Sequence, residues 1–167
     1  MAKPSKEQIL LLDELRDFVI EVMRDMPEWV DAKVERLRSI PLGVLRRNAT
    51  QRHGVTRWKR GVNLHSLQPE DVEVIDIHPK MLNQRWKAYS AFVLHHEYIH
   101  ALGLRAHNAL FRQLEAAWPG PTAGDQGIQF TEHLRLENAS WLCCCPDCHQ
   151  AFPRQNPSRN PFTLPTC

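Results

Sequence analysis

Residues 95–107 read HHEYIHALGLRAH, four histidines and one glutamate where a buried helix would normally carry apolar side chains. In an α-helix His96 and His100 lie about 40° apart around the axis and about 6 Å along it, so two imidazoles can converge on one metal ion. Glu97 is offset by about 100° from His96, which directs it to the open side of that ion rather than into the ligand set. The arrangement suits zinc hydrolysis. Three protein ligands leave a fourth position to water, whose pKa falls to about 7, and Glu97 is placed as the general base on that zinc-activated water.

A third ligand is required, and His107 is the best candidate. Gly103 can end the helix and reverse the chain, His107 then stands at the start of the next helix, and Phe111 one turn later would pack under it. Two alternatives stay open. His95 faces about 100° away from His96 and suits a structural role better than a ligand's, whereas Glu115 would have to reach from deeper in the following helix. HExxHxxGxxxH is one residue longer than the metzincin motif, and the last methionine is Met81, so a metzincin with its later Met-turn does not fit.

Positioning these groups takes helices with defined ends. Ser5 and Gln8 form a capping-box pattern, and Ile9, Leu12, Leu15, Val19, Val22 and Met26 recur at helical spacing, predicting a helix from Lys6 to the stop at Pro27. A weaker pattern spans Asp31 to Ser39. From Val44 to Ile77 short β-prone pieces, GVLRRNAT, GVTRW and VEVIDI, alternate with Gly, Asn and Pro and predict a small antiparallel sheet. The active helix should start near Gln84 and stop at Gly103. Further helices are expected from His107 to Trp118 and from Thr131 to Trp141, separated by the loop PGPTAGDQG.

The chain has 167 residues, 43% hydrophobic and 24% charged, which suits one compact globular domain with a small appended module. No apolar run approaches the roughly 20 residues of a membrane span. Asp13, Glu14, Arg16 and Asp17 interrupt any secretory h-region, so a cytoplasmic protein is expected, chromosome-associated if it binds DNA. The net charge of +2 hides an asymmetry. No Asp or Glu occurs between Arg36 and Pro69, a stretch that holds Arg46, Arg47, Arg52, Arg57, Lys59 and Arg60, and such a segment attracts phosphate backbones.

All five cysteines lie in the last 25 residues. Cys145-Pro-Asp-Cys148 is a CxxC knuckle, and Cys167 follows at a distance compatible with the second half of a zinc ribbon, giving Cys145, Cys148 and Cys167 as ligands of a second zinc ion. A fourth would have to come from Cys143, Cys144 or His149.

These pieces together resemble the SprT-like zinc metalloproteases. The resemblance runs through the N-terminal helix, RNATQRHGVTRW, VEVIDIHPKML, HHEYIHALGLRAHNALF and CPDCHQAFPRQ…C. The minigluzincin-like peptidases share much of this core, and the terminal cysteines favour SprT. The resemblance implies an α+β, gluzincin-like zincin domain over residues 1–141, in which a small antiparallel sheet packs on helices that include the HExxH helix. A ribbon-like cysteine module follows over 142–167. It also implies zinc held by His96, His100 and His107, catalysis by Glu97, and proteolysis of proteins associated with or crosslinked to DNA. The expected partners are a protein substrate and DNA. An extended substrate segment is expected to pair with the strand Val72–Ile77. The alternative of a different class is a non-proteolytic, zinc-stabilised nucleic-acid-binding module.

Overall fold

The computed structural model describes residues 2–30, 32–49, 51–145, 149 and 151–156. They fall into two compact units, Met1–Gly127 and Ile128–Cys167.

The first unit opens with helix α1, Lys6–Asp25. Its start is the expected capping box: the Ser5 hydroxyl accepts from the Gln8 amide at 3.2 Å, and the Gln8 side chain accepts from the Ser5 amide at 2.9 Å. Leu12, Leu15, Val19, Ile20 and Met23 form its buried stripe, each worth about 1.5–3 kcal/mol when fully withdrawn from water. Pro27 follows the helix, as the sequence predicts. The weaker helical pattern becomes a 3-10 turn over Val34–Ser39, and its expected first residue, Asp31, lies outside the described residues.

Three strands follow: β1 (Leu42–Val44), β2 (Gly54–Trp58) and β3 (Val72–Ile77). They pair in the order β1-β3-β2, with β1 parallel and β2 antiparallel to β3. The sheet is therefore mixed rather than antiparallel. The connection from β1 to β3 is long enough to lay down β2 and return, so the third strand inserts between the first two. Alternation of side chains locates strands but carries no information on pairing direction. The expectation that β3 offers its backbone to a substrate is overturned by the same finding: β3 is occupied on both edges, and among the described residues the outer edges are those of β1, bridged once by Ala2, and of β2, which is the open one on the α2 side.

Asp76 stands on the central strand and is 1% exposed. Its Oδ2 accepts from Arg57 Nε on β2 at 2.7 Å. On β1 its register partner is Gly43, where a Cβ would lie 2.4 Å from Asp76 Oδ1. The absence of a side chain at Gly43 makes room for the buried carboxylate.

Helix α2, Lys87–Ala101, is entered through a 3-10 turn at Gln84–Trp86, whose Trp86 amide donates to the Asn83 side chain at 3.3 Å. Tyr89, Ala91, Phe92, Val93, Leu94, Tyr98, Ile99 and Ala101 are all buried, the signature of a helix enclosed in the core. It ends in a Schellman turn. The Gly103 amide donates to the His100 carbonyl at 2.8 Å, the Leu104 amide to the Ile99 carbonyl at 3.4 Å, and Gly103 takes φ +106. Helix α3, Ala109–Ala116, is capped by Asn108, whose side chain accepts from the Phe111 amide at 3.0 Å. It starts two residues later than expected, because Asn108 takes the cap and leaves His107 in the preceding turn.

The second unit holds helix α4, Ile128–Glu137, and the antiparallel pair β4 (Trp141–Cys144) and β5 (Ala151–Arg154). Trp141, expected to close the helix, begins β4 instead. Among the described residues no helix is long and apolar enough to cross a membrane.

Gly103→Ala places a side chain at a positive φ, where an L-residue costs about 1–2 kcal/mol, and sets its Cβ 3.1 Å from the Leu67 carbonyl oxygen. Urea unfolding should show a loss of at least that size with an unchanged m-value.

Candidate metal centre

The 15-residue helix α2 buries most of its surface and leaves His96 and His100 side by side near its C-terminal end. The turn at Gly103 then carries His107 back over them. Its Nε2 lies 3.2 Å from His96 Nε2 and 3.1 Å from His100 Nε2. Among the described residues, this trio is the one group of three or more His, Cys, Asp or Glu side chains able to hold a metal ion.

The opposite ring nitrogens show what the donors are aimed at. His96 Nδ1 donates to Glu115 Oε1 at 2.6 Å, and His100 Nδ1 donates to the Leu104 carbonyl at 2.7 Å. With Nδ1 committed as a donor, each Nε2 is left as a lone-pair acceptor facing a common point. Three imidazoles bound at about 2.0–2.1 Å in a tetrahedral shell stand about 3.3 Å apart, close to the separations found. The donor set fits a metal ion.

Phe111 of α3 is fully buried and supports all three rings, with centroid separations of 4.9 Å to His96, 4.7 Å to His100 and 4.5 Å to His107. The sequence predicts its contact with His107 alone. Burial depresses the pKa of His96, against the pull of Glu115, and burial with the neighbouring imidazoles depresses that of His100 to about 4. Both are held in the neutral form that a metal requires.

Glu97 is 5% exposed and its Oε2 accepts from the Thr56 hydroxyl on β2 at 2.7 Å. Burial raises its carboxyl to about 7, with the Thr56 bond opposing. A bound dication would pull the value down again. Strand β2 runs directly over this carboxylate: a Cβ at Gly54 would lie 2.7 Å from Glu97 Oε1 and 2.7 Å from Val93 Cγ1. Between β2 and α2 opens a cleft of about 450 Å³, lined by Gly54, Thr56, Trp58, the three histidines and Glu97, with Arg52 and Arg105 also on its walls.

Glu115 is not among the converging donors. It sits behind His96 and also accepts from Arg112 Nη1 at 2.8 Å. Burial raises its pKa, but the bonds from His96 and Arg112 outweigh this and hold it below its ordinary range. His95 points into the core, stacked on Trp118 at 4.9 Å and edge-on to Trp29 at 5.9 Å. Sequence reasoning missed Thr56 and the supporting role of Glu115. The signal for Glu115 was its position one turn beyond Phe111 on a helix already expected to face the metal; nothing marks Thr56.

The basic segment is acid-free along the chain but not in space. Arg36 pairs with Glu70, Arg38 with Asp17 and Glu35, and Arg57 with Asp76, while Lys59 Nζ donates to the Glu70 carbonyl at 2.6 Å. Arg46, Arg47, Arg52 and Arg60 have no ion pair among the described residues. Arg46, Arg52 and Arg57 line a second cavity of about 380 Å³. In the cysteine module Cys145 is buried, whereas Cys148 and Cys167 lie outside the described residues.

The chain is 27% identical over 89 residues to "Protein SprT-like" of Streptococcus equi subsp. zooepidemicus (strain H70), an alignment that covers 50% of this chain and 57% of that protein. It thus spans little more than half the length of that relative. The similarity agrees with the resemblance that the motifs carry. No family model and no solved structure matches the chain.

Glu115→Gln keeps the shape but removes the carboxylate that orients His96, and the affinity for a divalent metal ion measured by chelator competition should fall about 10- to 100-fold. Gly54→Ala overfills the contact between β2 and α2. It should cost about 1–3 kcal/mol in urea unfolding, the usual range for overpacking, while circular dichroism keeps its folded shape.

Proposed function

We propose that this chain is a zinc-dependent metallopeptidase of the SprT-like type, acting on proteins associated with or crosslinked to DNA. The observation that carries the reading is the convergence of three Nε2 atoms beside a buried glutamate, beneath the open edge of a sheet. His96, His100 and His107 are the metal ligands. Zinc held there supplies a Lewis acid for a peptide carbonyl and lowers the pKa of water.

The chain's own groups do the rest. Glu97 takes a proton from the attacking water and returns it to the leaving amine, and its bond from Thr56 fixes the carboxylate orientation. The open edge of β2 lines the same cleft, so an extended peptide can add as a strand, recognised through backbone hydrogen bonds. Such recognition tolerates many sequences and demands an unfolded segment. Arg46, Arg47 and Arg60 are the cations left for phosphate, with Arg57 and Lys59 already engaged and Arg52 on the wall of the cleft. The second zinc is assigned to Cys145, Cys148 and Cys167.

The test uses zinc-loaded protein with a DNA-crosslinked substrate and an unstructured peptide, each with and without added DNA. Glu97→Gln should lose cleavage by at least about 10²-fold, the lower range for a positioned acid–base group, while keeping its zinc. Cleavage unchanged in that variant removes Glu97 from catalysis. Salt-dependent DNA binding with no Glu97-dependent turnover would favour the alternative of a nucleic-acid-binding module in which zinc only holds the fold. Replacing Arg46, Arg47 and Arg60 together with Glu should weaken DNA binding and flatten its salt dependence, read by anisotropy at two salt concentrations. Elemental analysis of the intact chain and of one ending before Cys143 should give two zinc ions and one.

A further inference from the structure

The cleft over the metal centre carries an unbalanced charge. Glu97 is the single carboxylate among its lining residues and is already bonded to Thr56. Against it stand Arg52 and Arg105, both exposed and both without an ion pair among the described residues. Elsewhere in this unit Arg16, Arg24, Arg36, Arg38, Arg57 and Arg112 each have a carboxylate partner, whereas Arg46, Arg47, Arg60 and Arg85 have none among the described residues, so what sets Arg52 and Arg105 apart is their place on the cleft wall.

Their placement has a direction. Arg52 precedes β2, and Trp58 closes it, with the Thr56–Glu97 contact between them. A peptide that adds to the open edge in the more stable antiparallel sense runs from the Trp58 end to the Arg52 end. Hydrolysis takes place beside Glu97, so Arg52 meets residues on the C-terminal, leaving-group side of the scissile bond. Arg105, in the turn before His107, lines the same cleft. A guanidinium offers a planar fork of donors that matches a carboxylate.

We infer that Arg52 and Arg105 form a carboxylate-recognition subsite that selects substrates with an acidic group C-terminal to the cleaved bond. The inference rests on the peptidase reading above. The group is either an Asp or Glu side chain or the free α-carboxylate of a chain end.

Zinc-loaded wild type, Arg52→Gln, Arg105→Gln and the double variant are given unstructured peptides that differ only in Glu, Gln or Lys after the cut, each with a free or an amidated C-terminus. Cleavage is mapped by mass spectrometry. The same labelled peptides are titrated onto the Glu97→Gln protein, with and without the arginine substitutions, by fluorescence anisotropy. Wild type should favour the peptide that carries the recognised carboxylate, Glu over Gln or free end over amidated end, by about tenfold or more, the size of one hydrogen bond to a charged group, and Lys should be poorest. The ratio should fall toward one in the double variant. A rate that falls on amidation and ignores Glu against Gln assigns the subsite to the α-carboxylate, and a Glu preference that survives amidation assigns it to the side chain.

Rates that are equal for Glu and Gln and also equal for free and amidated ends in wild type overturn the inference, as does a ratio retained in the double variant. So does a change confined to the response to added DNA, which would give Arg52 to phosphate instead. If no peptide is cut, the peptidase reading fails by itself, and the titrations still decide: tighter binding of the Glu or free-ended peptides that depends on the arginines supports the subsite, and equal binding across the whole set overturns it.

Discussion

The hydrogen bond from His100 Nδ1 to the Leu104 carbonyl ties the chemistry of the site to the way a helix ends. That carbonyl is in place because Gly103 takes a left-handed φ, which lets the chain leave α2 in a Schellman turn. One backbone event thus does two things. It fixes the tautomer of a residue inside the helix, and it sends His107 back across the helix to meet it. The rest of the unit serves the same arrangement: α2 is enclosed on most sides so that its register cannot slip, and Phe111 fills the space beneath the three rings.

Strand β2 is held from both sides. Arg57 anchors it to Asp76 on the central strand, and Thr56 anchors it to Glu97 on the helix. The buried carboxylate of Asp76 is tolerable because it is paired, and breaking such a pair strands a charge in the core. The open edge of the sheet is consequently not a loose strand. Its position relative to the glutamate is set within the fold, and on the peptidase reading proposed above this lowers the ordering cost of docking.

Much of the metal centre was legible in the sequence because helical periodicity is a strong constraint. Four-residue spacing brings His96 and His100 together whatever surrounds them, and a glycine followed by a histidine at the next helix leaves few routes for the chain. The capping box at Ser5 was legible for the same local reason. What depends on long-range pairing was not. The order β1-β3-β2, the parallel sense of β1 and the identity of the open edge arise from which strands meet, and alternation cannot report that. The acid-free run from Arg36 to Pro69 misled as to free charge, since the acids that neutralise Arg36, Arg38 and Arg57 come from α1, the 3-10 turn over Val34–Ser39 and segments after Pro69 or earlier in the fold. Glu35 stands one residue before the run begins. Thr56 is one polar residue on a half-buried strand, and only its neighbour across the cleft reveals it.

Gly54 has an ordinary backbone conformation, so no turn or left-handed φ demands glycine there. What demands it is the thickness of a missing methyl between a strand and a carboxylate. Steric exclusion of this kind leaves a readable trace: with the strand this close to α2, a side chain at position 54 forces Glu97 or Val93 to move. The glycine that opens the β-prone run GVTRW is thus, in this chain, a marker of strand-to-helix distance, set by the glutamate of the motif and not by the backbone of the strand.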